Sequence, residues 1–170
     1  GFHFGGIVDY AISESFSIQP GLFISTNSGA TWTEANIGSN VRGVLSLAID
    51  PISLSNLYVG TEFGGGVYKS MDGGDTWMAS NSGLTATNIR FLEVDPTTPT
   101  TLYAVTFGGG IFKSINSSET WKLSTTGITS TSVTSLVIDP QTPTTLFAGT
   151  LDGIFKSTDG GETWREKLIE

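Results

Sequence analysis

Ser157-Thr158-Asp159-Gly160-Gly161-Glu162-Thr163-Trp164 decides the fold, because the same kind of octad occurs three more times. The others are Ser25-Thr26-Asn27-Ser28-Gly29-Ala30-Thr31-Trp32, Ser70-Met71-Asp72-Gly73-Gly74-Asp75-Thr76-Trp77 and Ser114-Ile115-Asn116-Ser117-Ser118-Glu119-Thr120-Trp121. The closing tryptophans are 45, 44 and 43 residues apart. Two more markers keep that register. One is Asp-Pro, at Asp50-Pro51, Asp95-Pro96 and Asp139-Pro140; the other is the β-rich run Tyr58 to Thr61, Tyr103 to Thr106 and Phe147 to Thr150. Self-similarity at this period is the mark of a repeat architecture.

Working outward from the octad, each unit reads as four short strands. Strand A is Val44 to Ile49, Ile89 to Val94 or Val133 to Ile138. It is apolar at successive positions, which predicts a strand buried on both faces. Asp-Pro ends it, since proline restricts its predecessor and donates no ladder hydrogen bond. Strand B is Leu57 to Thr61 and its equivalents, followed by a glycine turn: Gly64-Gly65-Gly66, Gly108-Gly109-Gly110 or Asp152-Gly153. Strand C runs from Gly66 to Ser70, Gly110 to Ser114 and Gly153 to Ser157; the octad turns into strand D near Thr76-Trp77. Nothing carries the 3.6-residue period of a long helix. One small antiparallel sheet cannot cover both of its faces, whereas sheets stacked around an axis do. The expectation is an all-β chain, a β-propeller of about four blades with four antiparallel strands each, standing alone or as part of a larger ring. As one propeller domain, 1–170, it divides into blades near 1–36, 37–80, 81–124 and 125–170.

The octads resemble the Asp-box, or BNR repeat, whose pattern is Ser-x-Asp-x-Gly-x-Thr-Trp. The resemblance covers nearly the whole chain and implies the propeller fold. Proteins with this box include sialidases, xyloglucan-active glycoside hydrolases, sortilin-type receptors and photosystem II assembly factors, so it does not choose among functions. In physical terms, the Asp or Asn accepts backbone N–H groups of its own turn, and glycine supplies positive φ. The Trp packs under the turn. The structural box residues are Ser25, Asn27, Gly29 and Trp32; Ser70, Asp72, Gly74 and Trp77; Ser114, Asn116 and Trp121; and Ser157, Asp159, Gly161 and Trp164. The octads with Asp72 and Asp159 match fully. Ser118 stands where glycine is expected, so the third turn should be the loosest.

The first unit is irregular. Tyr10 to Ser13 and Gly21 to Ser25 match strands B and C, but Glu14 to Pro20 makes a longer loop between them. Phe2, Phe4, Ile7 and Val8 offer only a shortened strand A. This suggests a piece of a larger propeller, or a half that pairs with another copy.

Composition narrows the chemistry. Eight Lys and Arg against 16 Asp and Glu give a net charge of -8, the wrong sign for a nucleic-acid partner. No apolar run approaches the roughly 18 residues of a membrane span. There is no cysteine, and His3 is the single histidine, which removes thiolate chemistry and multi-His metal sites. Each octad has too few carboxylates for the six to eight oxygens of calcium, so no metal and no cofactor is expected. The resemblance to sialidases draws attention to the three arginines Arg42, Arg90 and Arg165, yet these occupy unequal positions in their repeats. Glu93 stands where its siblings are Ala48 and Val137; on an inner strand it would face a ligand or pair with Arg90. Glu62 and Asp152 adjoin the B–C turns and should be exposed. Lys69, Lys113 and Lys156 recur at one place in strand C, which the repeat alone explains. Phe63 and Phe107, beside triple-glycine turns, are candidate exposed contacts for protein or sugar. Asn116-Ser117-Ser118 has the form of a glycosylation sequon inside a turn.

The function expected from the sequence is a non-catalytic binding or assembly scaffold. Its partners would be protein or further blades, with glycan as a second class and a homo-oligomer as one form of assembly. The alternatives are a fragment of a secreted glycoside hydrolase, sialidase- or xyloglucanase-like, and a carbohydrate-binding lectin. The resemblance implies an extracytoplasmic, bacterial setting, although no targeting signal appears in the chain.

Overall fold

Glycine turns and Asp-Pro corners divide the chain into short strands in the computed structural model, which describes residues 22–25, 29–35, 37–38, 41 and 43–167. Blade 1 supplies β1 (Leu22–Ile24) and β2 (Thr33–Ala35). Blade 2 consists of β3 (Val44–Ile49), β4 (Leu57–Thr61), β5 (Gly66–Ser70) and β6 (Met78–Ala79). Blade 3 consists of β7 (Ile89–Val94), β8 (Leu102–Thr106), β9 (Gly110–Ser114) and β10 (Lys122–Leu123). Blade 4 consists of β11 (Val133–Ile138), β12 (Leu146–Thr150), β13 (Ile154–Ser157) and β14 (Arg165–Lys167). Blades 2 to 4 are antiparallel meanders in chain order. The fold is all-β and propeller-like. Strand D begins one residue after the Trp rather than at it, and the last strand C starts at Ile154. The segments Tyr10 to Ser13 and Glu14 to Pro20, with Phe2, Phe4, Ile7 and Val8, lie outside the described residues.

The strand buried on both faces is B, not A. Every residue of β4 and of β8 is buried, whereas Leu45, Phe91 and Val137 on the three A strands are exposed. Strand B has a partner on either side within its sheet, and the neighbouring blades cover its faces. Strand A is an edge strand, and next to its open end each A strand carries a bulge, between Val44 and Ser46, Ile89 and Phe91, and Val133 and Ser135. A bulge twists the strand and re-aims the extra residue.

The core lies between blades, one cluster per junction. Tyr58 and Val67 of blade 2 pack with Ile89, Leu92, Phe112 and Trp121 of blade 3. Tyr103, Val105 and Ile111 of blade 3 pack in turn with Val133, Leu136, Phe155 and Trp164 of blade 4. Consecutive strand residues alternate in direction, so each sheet has one face toward the preceding blade and one toward the next.

Candidate functional site

At one end of the arc stand the octads and the Asp-Pro corners. In the second octad Thr76 donates to Asp72 from its backbone N–H (2.9 Å) and its hydroxyl (2.5 Å), and Gly74 N–H donates to Ser70 Oγ (2.9 Å). The fourth repeats this with Asp159, Thr163, Ser157 and Gly161. The hydrogen bonds from Thr76 and Thr163, hydroxyl first, hold the Asp72 and Asp159 carboxyls down to about 2. In the third, Asn116 does the same work, taking Thr120 N–H (3.0 Å) and donating to Thr120 Oγ1 (2.9 Å). This turn keeps the hydrogen bonds of its siblings. Ser118 is fully buried and Trp121 is 3% exposed, but Ser117 and Ser118 take φ of 56° and 68°, a region that favours glycine. The Asp of each Asp-Pro corner also accepts hydrogen bonds, a role beyond strand termination. Burial raises the Asp50 carboxyl, but donors from Ser53, Asn56 and Ile52 outweigh it and leave it below its ordinary value. Asn27 and its neighbours 26 and 28 lie outside the described residues.

Trp164 lies against Gly161 of its own turn, as expected, but the indole hydrogen bonds differ along the arc. Trp121 and Trp164 are buried and donate Nε1–H to the preceding blade, at Ser80 O and Ser124 O, both 2.8 Å. Trp77 is half-buried and bonds to Gly74 O of its own octad (2.9 Å); Trp32 is half-buried too. Around the two docked indoles the contacts repeat. Ser80 Oγ donates to Ser118 O (2.6 Å) and Ser124 Oγ to Gly161 O (2.5 Å). Lys69 reaches Ser117 O (3.0 Å), and Lys113 pairs with Glu162 (2.7 Å). Lys69 and Lys113 are therefore blade-to-blade links. The spacing showed their recurrence, but not that these two reach into the next unit.

The opposite end carries the B–C turns. The strand register sets the first residue of each A strand beside the last of its B strand, as in Ile89 against Thr106. Thr61, Thr106 and Thr150 close these turns through Oγ1 bonds to Gly66 O, Gly110 O and Gly153 O. Beyond them project Phe63, Phe107 and Leu151, 76%, 65% and 76% exposed. Phe63 has φ of 56°, a strained geometry for a bulky residue. Asn88 of blade 3 anchors that turn, its Oδ1 accepting Gly64 N–H at 2.6 Å. Arg90, at the bulge of β7, lays its guanidinium 4.7 Å from the Phe107 ring centroid. Leu45, at the same bulge position of β3, is exposed. Sequence reasoning found Phe63 and Phe107 but not Leu45 and Leu151. Their signal was an apolar residue at a turn or bulge position with no neighbour to bury it.

Glu93 does not pair with Arg90. It stands opposite Tyr103, and cross-strand partners share a face, so it points toward blade 4 as Tyr103 does. Burial alone raises its carboxyl to about 7. Arg90 and Arg165 stand on the inner strand of blade 3 and the outer strand of blade 4, and Arg42 lies outside the described residues. Asp152 is exposed as expected, while Glu62 is half-buried beside Gly43.

No protein-family model matches the chain, and no curated protein matches it. Solved structures do. An ancestral GH74 enzyme aligns over 90% of this chain and 22% of its own, with 22% identity and a TM-score of 0.74. The GH74 enzyme of Niastella koreensis aligns over 89% of this chain and 27% of its own, with 27% identity and a TM-score of 0.70. YCF48 bound to D1 peptide aligns over 86% of this chain and 46% of its own, with 23% identity and a TM-score of 0.60. The chain thus spans between about a fifth and a half of the length of these structures.

Proposed function

We propose that this chain is a non-catalytic propeller module, a scaffold that binds protein through its B–C turn end. The observation that carries the reading is the row of Phe63, Phe107 and Leu151 on the B–C turns of three successive blades, with Arg90 at the β7 bulge against Phe107. Rigid, exposed aromatic and apolar side chains beside an Arg are what interface anchors are made of. The similarity to YCF48 bound to a peptide supports protein as the partner class. The setting we propose is extracytoplasmic, with the octads read as Asp-boxes.

One observation favours a second reading, a fragment of a glycoside hydrolase. Glu93, held protonated up to about pH 7, has the property a general acid needs, and GH74 enzymes share the fold. The test is a screen of the purified chain against xyloglucan oligosaccharides, sialyllactose and a random peptide display library. The expected result is selection of peptides without turnover of either sugar, with retention lost in Phe63→Ala and Phe107→Ala. Sugar hydrolysis abolished by Glu93→Gln would replace the scaffold with the hydrolase, and sugar binding without hydrolysis would make it a lectin.

A further inference from the structure

The face of blade 4 directed away from blade 3 repeats, position by position, a surface that is covered at the two preceding junctions. Tyr58 and Tyr103, 0% and 1% exposed, correspond to Phe147, which is 37% exposed. Val67 and Ile111, both 0% exposed, correspond to Ile154, also 37% exposed. Val137, the counterpart of Ala48 and Glu93, is 57% exposed. The side chains on this face remain apolar although the described residues give them no cover. Lys156 keeps the place of Lys69 and Lys113. It lies over the Phe147 ring at 5.4 Å, as Lys69 lies over Tyr58 at 5.8 Å, but no acceptor among the described residues answers its ammonium group. At the two formed junctions the acceptor comes from the next octad, from Ser117 O or from Glu162.

From this we infer that the free face of blade 4 seats a further octad-bearing blade, whose octad places an acidic side chain at its sixth position against Lys156. Octads two to four carry Asp75, Glu119 and Glu162 there; the first carries Ala30. The first octad of a second copy, with Ala30 there, cannot offer the ion pair that Lys113 makes with Glu162, so the occupant we assign is a blade with an acidic sixth position rather than blade 1 of a second molecule. The backbone carbonyl of Lys167 occupies the place of Ser80 O and Ser124 O, where the incoming indole would donate.

The chain has no cysteine, so Val137→Cys introduces a single thiol into this face, and its alkylation rate reports cover there. In the 170-residue chain that rate should be fast and independent of protein concentration. A copy of residues 125–170, with valine kept at its own position 137, is then joined after Lys167. This should slow alkylation many-fold. Lys156→Glu in the extended chain should restore the fast rate. Replacing the glutamate at the sixth position of the added octad by lysine, in the Lys156→Glu background, should restore protection. An extension that leaves the rate unchanged would overturn the inference, as would protection that ignores both charge changes. If the unextended chain becomes protected as its concentration rises, with a dimer in sedimentation, the occupant is a second copy and the inference is equally wrong. The peptide screen reads the other end of the arc, so either result leaves the scaffold proposal to its own test.

Discussion

At the scale of single residues, position along the arc decides what identical residue types do. Trp164 is buried against blade 3, with its Nε1–H on Ser124 O, whereas Trp77 is half-buried and bonded within its own octad. Trp164→Ala should lower stability by about 3–5 kcal/mol, the large-to-small cost in a core. Trp77→Ala should cost about 2 kcal/mol or less, because less apolar area leaves water there on folding. Urea unfolding of both variants measures the difference, and equal midpoints would contradict the packing assigned to them. Glu93 gives the pH-dependent case. Its folded carboxyl titrates near 7, above the ordinary 4.5, so the folded state holds the proton more tightly. Stability should fall as pH rises from about 4.5 to 7, by at most about 3 kcal/mol, and less because the side chain retains some exposure. Glu93→Gln should therefore be more stable than the parent at pH 8 and no more stable at pH 4. Thermal melts at the two pH values test this.

Among the elements, the octad and the glycine after strand D are two halves of one joint. Gly127 has φ of 96°, and a Cβ there would overlap the Trp164 carbonyl oxygen; Gly83 stands in the same relation to Trp121. Gly108 has φ of 74° but open space around its missing side chain. Gly108→Ala should cost only the left-handed backbone strain, about 1–2 kcal/mol. Gly127→Ala adds displacement of a docked carbonyl, so its loss should exceed that of Gly108→Ala when both are unfolded in urea. Similar losses would mean that the segment after β10 meets the fourth octad less closely than the Trp164 backbone N–H bonding to Thr126 O at 2.8 Å requires.

For the molecule as a whole, burial runs outward from strand B. The outer strands β6, β10 and β14 are two or three residues long and exposed throughout. Outer edges this short, charged in β10 and β14 though not in β6, resist pairing with other chains. Native-state hydrogen exchange should protect Leu57–Thr61 and Leu102–Thr106 longest. Leu146–Thr150 should exchange sooner, since Phe147 and its neighbours on that strand lack the next blade. Equal protection of the three B strands would show that blade 4 is covered in solution.

Much of this was legible in the sequence because it is local chemistry. The octads, the Asp-Pro corners and the glycine turns act within a few residues of themselves, so their spacing determined the number, order and length of most strands and the antiparallel meander. What a side chain meets in the next blade is separated from it by some 40 residues and belongs to no local pattern. Only the tertiary structure decided that strand B is the enclosed one, that Trp121 and Trp164 cap the preceding blade, and that Lys69 and Lys113 bridge junctions. It also placed Glu93 between blades rather than beside Arg90. The repeat presents the same face at every blade, and whether that face is core or surface depends on the neighbour that stacking brings to it.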